Sequence, residues 1–394
     1  MPSLLVILAV AASVATAVPV AVLAVQCLLA MLPPPRLRRV TDRPGVAVIV
    51  PAHDEERALP GTLAAIVPQL GPRDRLLVVA DNCTDGTADV ARAAGADVLE
   101  RSDALRRGKG YALDAGVRQL EQEGFDGDSI VIVDADCHVE AGTVDLLSEH
   151  VAATGGAAQA HYVMEMPEEP SARDQVSALA VRIRNVARAR GMRRLGLPCQ
   201  VTGSGVALPW RIARQLPLAS GNIVEDMQIG LDLAGHGAGA MFVDAARVLG
   251  KLAPTEAAVA QRQRWEQGHL TTIVSKVPQV LFEGLRRRNL QMLALAVDLA
   301  VPPLSLLVVS LLVSLALGIA CGISTDSWLP TIIALGSFVT MLASTVCGWW
   351  VAARTEIPLR ALLAVPAYMV WKLPMWLLSV VRPQREWVRT SRDD

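Results

Sequence analysis

The chain has 394 residues, of which 52% are hydrophobic and 19% are charged. Soluble globular proteins carry about 25% charged residues, so this composition argues against a purely soluble protein. The formal net charge of −1 argues against a nucleic-acid-binding protein, which is usually basic. The six cysteines form no CxxC pair, which favours reduced thiols over a disulfide scaffold or a zinc site.

The first apolar segment runs from residue 3 to residue 32 without a charge. About 20 apolar residues are enough to cross the hydrocarbon core of a bilayer. A cleaved signal peptide is the alternative, but its basic residues would precede the apolar core, whereas Arg36, Arg38 and Arg39 follow it here. Residues 1–35 are therefore predicted to form an uncleaved anchor with an external amino terminus and a cytoplasmic continuation.

Two more apolar blocks cover residues 292–323 and 328–353. Basic residues flank the outer ends of this pair and none lies in its central turn, so a transmembrane hairpin over 290–355 is predicted to return to the cytoplasm. Asp298 lies inside the first block, where an ionisable residue is expected to face a cavity or a protein neighbour rather than lipid.

The last apolar segment, residues 361–381, contains Pro366, Lys372 and Pro374 and is followed by four arginines. If this segment crossed the membrane, those arginines would lie outside the cell, against the positive-inside rule. Residues 358–394 are therefore predicted to form an interfacial or re-entrant helix and a basic cytoplasmic tail.

The region between the membrane segments has ordinary charge and three short β-branched runs, at residues 46–50, 76–80 and 130–133. Helix-like stretches separate these runs, a pattern typical of parallel strands joined by crossover helices. The predicted fold class is α/β, with a doubly wound and mostly parallel sheet. In such sheets ligands bind beyond the carboxyl ends of the strands.

Acidic residues follow the predicted strands at these ends, and they are Asp54, Glu55, Asp81, Asp134 and Asp136. One such residue is commonly a helix cap, but three clusters would repel one another without a cation or a hydrogen-bond donor. In an extended Asp134-x-Asp136 both carboxylates point to one side, which suits a divalent cation that also holds a diphosphate.

Further motifs point to anion and sugar binding. Lys109 lies in a glycine-rich turn before a helix, where an anion could bind, with a solvated turn as the alternative. Gly203 and Ser204 belong to a small loop that lets a ligand approach the backbone. Glu225 and Asp226 open a helix, where their alternative role is to complement the helix dipole.

Gln261, Arg264 and Trp265 share one face of a predicted helix. Arginine binds phosphate bidentately, and tryptophan offers a flat apolar surface to a sugar ring. The basic stretch 181–194 is predicted either to lie against anionic headgroups near the acceptor entrance or to be a solvated helix face.

Taken together, these motifs resemble the D, DxD, ED and QxxRW series of membrane-bound family 2 glycosyltransferases. That group contains cellulose, chitin and hyaluronan synthases and ceramide glucosyltransferase. The resemblance covers about residues 45–270. Residues 51–56 also resemble the family's opening P-A-Y-N-E-E, with His53 and Asp54 in place of tyrosine and asparagine. The motif residues in chain order are Asp81, Asp134-x-Asp136, Glu225-Asp226 and Gln261-x-x-Arg264-Trp265.

The resemblance implies a cytoplasmic GT-A domain over residues 40–285 that uses a nucleotide sugar, with UDP as the implied nucleotide, and Mg²⁺ or Mn²⁺. It implies an inverting transfer with Asp226 as the general base and with Asp136 and Asp134 as metal ligands. The implied donor-binding residues are Ala52, Asp54, Glu55, Asp81, Lys109, Asp134, Gln261 and Arg264. The acceptor-binding residues expected with it are Trp265, Gly203, Ser204 and Glu225.

We therefore expect a multi-pass enzyme of the inner (plasma) membrane that transfers a sugar to a lipid-linked, exopolysaccharide or other glycan acceptor. A processive synthase is less favoured, because three spans and an interfacial helix provide little material for a channel. The alternatives are a sugar-phosphate nucleotidyltransferase, which would release pyrophosphate, and a non-catalytic nucleotide-binding membrane protein. Membrane lipids are expected partners, nucleic acid is not, and homo-oligomerisation stays open.

Overall fold

The computed structural model describes residues 2–33, 35, 43–221, 225–250, 266–370 and 372. In this part of the chain eight strands form one sheet in the order β3-β2-β1-β4-β7-β6-β8-β5. The strands are β1 (Val46–Ala52), β2 (Arg75–Asp81), β3 (Asp97–Arg101), β4 (Ser129–Ile132), β5 (Cys137–Val139), β6 (Ala158–Met164), β7 (Val206–Pro209) and β8 (Met241–Gly250).

The helices fall into two groups, those interleaved with the strands and those near the two ends of the chain. The interleaved helices are α2 (Leu59–Ile66), α3 (Thr87–Ala93), α4 (Lys109–Gln122), α5 (Thr143–Thr154), α6 (Ala172–Arg182), α7 (Ala189–Arg194), α8 (Trp210–Ala213) and α9 (Glu225–Gly235). The others are α1 (Pro2–Ala30), α10 (described over 266–275), α11 (Val277–Arg286), α12 (Leu290–Leu299), α13 (Leu304–Thr325) and α14 (Leu329–Ala352).

The sheet has the predicted α/β, mostly parallel character. β1 pairs in parallel with β2 and β4, β2 with β3, and β6 with β8. The pairs β4–β7, β6–β7 and β5–β8 are antiparallel. The predicted runs at 46–50 and 76–80 lie inside β1 and β2, and β4 ends one residue before the predicted 133.

Both faces of the sheet are covered, which explains the continuous apolar runs in its strands. Val46, Val48 and Val50 of β1 face one core, which also contains side chains of α2, α3 and α5. Ala47 and Ile49 face a second core, built with α4, α8 and α9. This double winding brings the carboxyl ends of β1, β2 and β4 to one edge of the sheet.

Three described helices are long and apolar enough to cross a membrane, and they are Leu4–Ala30 within α1, α13 and α14. A chain of hydrogen bonds joins all three. The Ser314 hydroxyl donates to Ser13 Oγ at 3.1 Å, and the Ser13 hydroxyl lies 3.0 Å from the Pro330 carbonyl oxygen. Small polar residues of this kind are typical of packed membrane helices.

The apolar block at 292–323 is two helices rather than one. α12 ends at Leu299 and α13 begins at Leu304, because the intervening Pro302 and Pro303 lack the amide hydrogens that a continuous helix needs. Asp298 in α12 is only 3% exposed and forms an ion pair with Arg188 at 2.7 Å, which confirms the expectation that it faces protein rather than lipid.

The described part of the carboxyl-terminal segment contains a 3₁₀ helix, Leu359–Ala364, followed by helix over 365–370. Of the residues beyond 370, only Lys372 is described. Residues 371 and 373–381 of the predicted interfacial segment and the whole arginine-rich tail lie outside the described residues, so the arrangement of this region stays a prediction.

The basic stretch 181–194 is not a uniformly solvated face, and its predicted contact with anionic headgroups stays a prediction. A π-helical turn, Ile183–Arg188, joins α6 to α7 here. Arg182 pairs with Glu356, and Arg190 pairs with Asp244 at 2.8 Å. Several of its arginines are thus held by carboxylates of the protein itself.

Candidate active site

Lys109 lies at the centre of the candidate site. It is the first residue of α4, and its Nζ lies 2.7 Å from Asp134 Oδ1 and 3.6 Å from Asp226 Oδ1. The same ammonium donates a hydrogen bond to the Gly203 carbonyl oxygen at 2.8 Å. Four residues that the sequence singled out in four separate motifs therefore meet around one positive charge.

The electrostatics of this cluster favour a basic carboxylate beside a fixed cation. Burial raises the pKa of Asp226, and the Asp134 charge raises it further, although Lys109 acts in the opposite direction. Burial and the Asp226 charge raise the pKa of Glu225 to about 8. Burial alone would lower the pKa of Lys109, but Asp134 and Asp226 raise it above its ordinary range, so this lysine stays protonated.

Gly203 has no side chain, and this leaves room for the carboxylates of Asp134 and Asp226 beside Lys109. Its φ is +92°, a conformation that favours glycine, and a Cβ there would lie 3.1 Å from Asp226 Oδ2. Ser204 is buried, and its Oγ accepts a hydrogen bond from the Asp134 amide at 3.0 Å. Its carbonyl oxygen accepts from Gln159 Nε2, also at 3.0 Å. Gln159 thus fixes this loop, a role with no signal in the sequence.

Asp134 and Asp136 form a candidate metal site through a turn rather than along an extended strand. β4 ends at Ile132, and the Cys137 amide donates to the Asp134 carbonyl oxygen at 3.1 Å, which closes the turn. One potential ligand atom from each of Asp134, Asp136 and Cys137 lies within 4.8 Å of the others. The carboxylates suit Mg²⁺ or Mn²⁺, whereas burial raises the pKa of the Cys137 thiol and makes it a poor ligand.

Asp81, at the end of β2, is held by a residue that the sequence analysis missed. Arg101 lies opposite it in the parallel register of β3, and the Arg101 guanidinium contacts Asp81 Oδ1 at 2.5 Å. Asn82 Nδ2 donates to the same oxygen at 2.9 Å. The Arg101 guanidinium also lies 5.7 Å from the Tyr111 ring centroid. Only the register of β2 against β3 reveals this contact.

The loop after β1 is tied to the loop after β2. Asp54 has a φ of 52°, and its Oδ1 accepts a hydrogen bond from the Thr84 amide at 2.6 Å. The Glu55 amide donates to Thr87 Oγ1 at 2.8 Å. Ala52, the last residue of β1, is buried and accepts from the Cys83 thiol. The predicted donor-binding loop is therefore shaped by its neighbour.

Three predicted site residues, Gln261, Arg264 and Trp265, lie outside the described residues. Their predicted contacts with the diphosphate and the acceptor stay predictions. Of the other predicted site residues, the structure brings together Lys109, Asp134, Gly203 and Asp226 directly, with Ser204 behind Asp134 and Glu225 next to Asp226.

Comparison with known proteins supplies a family. A family model described as "Glycosyltransferase like family 2" matches residues 44–268, more than half of the chain. The probable glycosyltransferase YdaM of Bacillus subtilis is 34% identical over 107 residues, covering 24% of this chain and 23% of that protein. The uncharacterized glycosyltransferase Rv0539 of Mycobacterium tuberculosis is 37% identical over 102 residues, covering 26% of this chain and 41% of that protein. The matches span less than half the length of either relative.

A solved structure resembles nearly the whole chain. The mannosyltransferase PcManGT from Pyrobaculum calidifontis, in complex with GDP-Man and Mn²⁺, has a TM-score of 0.56 to this protein. The similarity covers 95% of this chain and 100% of that one, at 18% sequence identity. The likeness is one of fold, and it extends beyond the sheet to the regions that contain the apolar helices.

Proposed function

The chain belongs to glycosyltransferase family 2, and on that basis we propose that it transfers a sugar from a nucleotide-sugar donor to a lipid-linked or glycan acceptor at a membrane surface. The observation that carries this proposal is the contact of Lys109 with Asp134, Asp226 and Gly203. It joins a candidate metal ligand, a candidate base and an open backbone loop at the carboxyl edge of the sheet, where α/β proteins bind ligands.

Asp226 is the proposed general base. An acceptor hydroxyl is a poor nucleophile, so a carboxylate must accept its proton as the oxygen bonds to the anomeric carbon. The raised pKa of Asp226, caused first by burial, increases its affinity for that proton. Lys109, 3.6 Å away, favours the ionised carboxylate before the reaction. Attack opposite the departing diphosphate inverts the anomeric centre.

Asp134 and Asp136 are the proposed metal ligands, and a divalent cation there would neutralise charge on the departing diphosphate. Lys109 adds a second positive charge at the same place, because its Nζ lies 2.7 Å from Asp134. Groups of this kind stabilise the transition state more than the ground state, since the charge on the leaving oxygen develops as the bond breaks.

The nucleoside is proposed to bind in the paired loops after β1 and β2, against Asp54, Glu55 and Asp81. The family resemblance favours a UDP-sugar, whereas PcManGT was solved with GDP-Man. Gln261 and Arg264 are proposed diphosphate contacts. Trp265, Gly203, Ser204 and Glu225 are the proposed acceptor contacts.

The proposed membrane arrangement has an anchor at 1–35, a cytoplasmic catalytic domain at 40–285, a hairpin at 290–355 and an interfacial helix with a cytoplasmic tail at 358–394. The three apolar helices Leu4–Ala30, α13 and α14 support it. The inner (plasma) membrane is the proposed location. Reporter fusions at the two termini test the orientation, with the amino terminus expected outside and the carboxyl terminus inside.

The test of the function is nucleoside diphosphate release by the detergent-solubilised protein, offered UDP- and GDP-sugars with Mg²⁺ or Mn²⁺. We expect metal-dependent release with one donor class. Asp226→Asn should lower turnover by about 10²–10⁴-fold, the usual contribution of a general base. Asp136→Ala should abolish metal-dependent release.

Asp89→Asn is the matched control, because its side chain is 87% exposed on α3, and it should retain wild-type turnover. Pyrophosphate as the product would overturn the proposal in favour of a nucleotidyltransferase. Full turnover by Asp226→Asn would refute the base assignment while leaving the transfer itself intact.

A further inference from the structure

A mostly apolar cleft lies between the sheet domain and the membrane helices. One wall comes from α6 and the π-helical turn, and the other from the start of α13, the middle of α14 and the helix over 365–370. We call it the interfacial cleft and define it by the apolar lining residues Val176, Leu179, Leu304, Val308, Met341 and Met369. Two of the lining helices, α13 and α14, are long and apolar enough to cross a membrane.

One part of the interfacial cleft is strongly charged. Arg184, Arg188, Glu266, His269 and Lys372 line it together with the apolar residues. Two of the cations are neutralised within the protein, since Lys372 pairs with Glu266 and Arg188 pairs with Asp298. Arg184 forms no ion pair with any residue in the described part of the chain. The polar part of the cleft therefore carries one positive charge that is not in direct contact with any described carboxylate.

Arg184 is also incompletely hydrogen-bonded. Its Nε is buried and has no hydrogen-bond partner among the described residues. Burial, followed by the positive charge of Arg188, lowers the pKa of Arg184 to about 10. A half-buried guanidinium whose Nε lacks a partner is costly, and an anion in the cleft would lower that cost.

The charged part of the cleft is electrostatically linked to the candidate base. Asp226 raises the pKa of Arg184, and Arg184 in turn lowers the pKa of Asp226. Burial is the largest influence on both groups, so their charges interact through the protein interior. Arg184 and the candidate base therefore lie in one electrostatic environment.

We propose that the interfacial cleft binds a lipid-linked acceptor through its lipid phosphate, with the hydrocarbon chain along the apolar walls and the phosphate on Arg184. This inference rests on the proposed glycosyl transfer and names the acceptor class for it. A neutral lipid would leave the Arg184 guanidinium unpaired, and a free phosphate would leave the apolar walls uncovered. Only a ligand with both a phosphate and a hydrocarbon chain would pair with Arg184 and also cover the apolar walls.

Native mass spectrometry in a neutral detergent tests this, with no nucleotide sugar present. The probes are farnesyl phosphate, farnesol and inorganic phosphate, offered to the full-length protein. We expect one bound farnesyl phosphate per chain, at least tenfold weaker binding of farnesol, and no stable adduct with inorganic phosphate. Equal binding of farnesol and farnesyl phosphate would overturn the proposal without any variant being needed.

Variants then assign the phosphate contact. Arg184→Met should weaken farnesyl phosphate binding at least tenfold, whereas Arg184→Lys, which keeps the charge, should recover part of it. Arg193→Met is the matched control, since Arg193 lies in the same basic stretch but does not line the cleft. Unchanged binding by Arg184→Met, or equal loss in Arg193→Met, would refute the assignment.

The binding assay and the turnover assay fail independently. Lipid binding without a donor reports on the cleft alone, so it can be absent while nucleoside diphosphate release succeeds. Conversely, tight binding of farnesyl phosphate together with no turnover on any donor would support the cleft and contradict the proposed transfer.

Discussion

Lys109 shows how one residue can organise a site that would otherwise repel itself. Asp134 and Asp226 come from different elements, and their carboxylates approach the same Nζ. Without this ammonium, two partly buried negative charges would face each other at the edge of the sheet. The lysine therefore brings the two carboxylates together and offsets the repulsion between their negative charges.

Lys109→Met should lower kcat/KM at least ~100-fold, because the loss of one member of a buried charge cluster leaves the others uncompensated. Lys109→Arg should retain part of the activity, since it keeps the charge. Lys276→Met is the control, because that lysine is exposed and belongs to none of the site motifs. Nucleoside diphosphate release measures all three, and wild-type turnover by Lys109→Met would contradict the role assigned here.

His150 gives a prediction about stability rather than activity. It is buried in α5, and burial, aided by the Arg193 charge, lowers its pKa from 6.5 to about 4. Between these two values the unfolded chain binds a proton that the folded chain does not. Folding stability is therefore lost as the pH falls from about 6.5 towards 4, by about 3 kcal/mol from this residue.

His150→Leu should flatten the decline of unfolding temperature over that pH range, because leucine binds no proton in either state. Thermal unfolding of the solubilised protein at several pH values measures the slope. His236→Leu is the control, since His236 is exposed and should leave the slope unchanged. An identical slope in His150→Leu and wild type would show that His150 is not the group responsible.

At the residue scale, the sequence indicated the acidic and glycine-rich motifs but not the residues that hold them. Asp81, Asp134 and Asp226 carry recognisable motifs, whereas Arg101 and Gln159 do not. The position of Arg101 depends on the register of β3 against β2, and that of Gln159 on a loop packing against β6. Such contacts follow from three-dimensional placement, which no local pattern encodes.

At the scale of elements, the contact of α1 with α7 depends on one small residue. A Cβ at Gly191 would lie 2.2 Å from the Gln26 carbonyl oxygen, which is a backbone atom of α1 and cannot move by a rotamer change. Close approach of this kind is characteristic of glycine at helix contacts in membrane proteins. α1 therefore packs directly against α7 of the sheet domain.

Gly191→Ala should destabilise the protein by about 1–3 kcal/mol or more, as overpacking does in well-packed cores. The unfolding temperature in detergent is the measurement. Gly235→Ala is the control, because a Cβ at this helical position meets nothing within 4 Å and alanine is the better helix former. If the two variants unfold at the same temperature, the close contact between Gly191 and Gln26 does not contribute to stability.

The strands could be predicted from their continuous apolar runs. Helix boundaries that had to be inferred from hydropathy alone were less predictable. β1 and β2 contain the predicted runs because they are buried on both faces. The sequence predicted the block at 292–323 to be one span, since α12 is itself an apolar helix. In the structure its Met292, Leu295 and Leu299 pack against α9, which no hydropathy profile distinguishes from contact with lipid.

At the scale of the whole molecule, a buried polar network joins the membrane region to the active-site loop. Asp298 of α12 accepts hydrogen bonds from Gln26 of α1 at 2.7 Å and from Gln200 at 2.9 Å. Arg188 donates to Asp298 at 2.7 Å and to Gln26 at 2.9 Å. Gln200 lies three residues before Gly203, so the network ends next to the site.

Asp298→Leu should destabilise the protein by about 3–5 kcal/mol, because Arg188 is left as an unpaired buried charge. The double variant Asp298→Leu/Arg188→Met removes both charges and should recover most of that loss. Unfolding temperatures of the two single variants and the double variant form the cycle. Additive losses in the double variant would mean that the pair is not coupled.

The overall architecture could be predicted from the sequence, whereas the side-chain contacts that join its parts could not. The sheet, its flanking apolar helices and the family were accessible from periodicity and motif order. The Asp298–Arg188 pair is one such contact. It joins residues 110 positions apart and depends on how the helices pack.

The break between α12 and α13 has a practical consequence for preparing the enzyme without its membrane helices. A hydropathy profile would place the truncation before Leu290, at the start of the apolar block. That cut would strip α12 from α9 and leave Met227 and Leu231, close to Asp226, exposed to water. A water-soluble version needs the chain at least as far as Leu299, so part of what looks like membrane anchor belongs to the catalytic domain's own core.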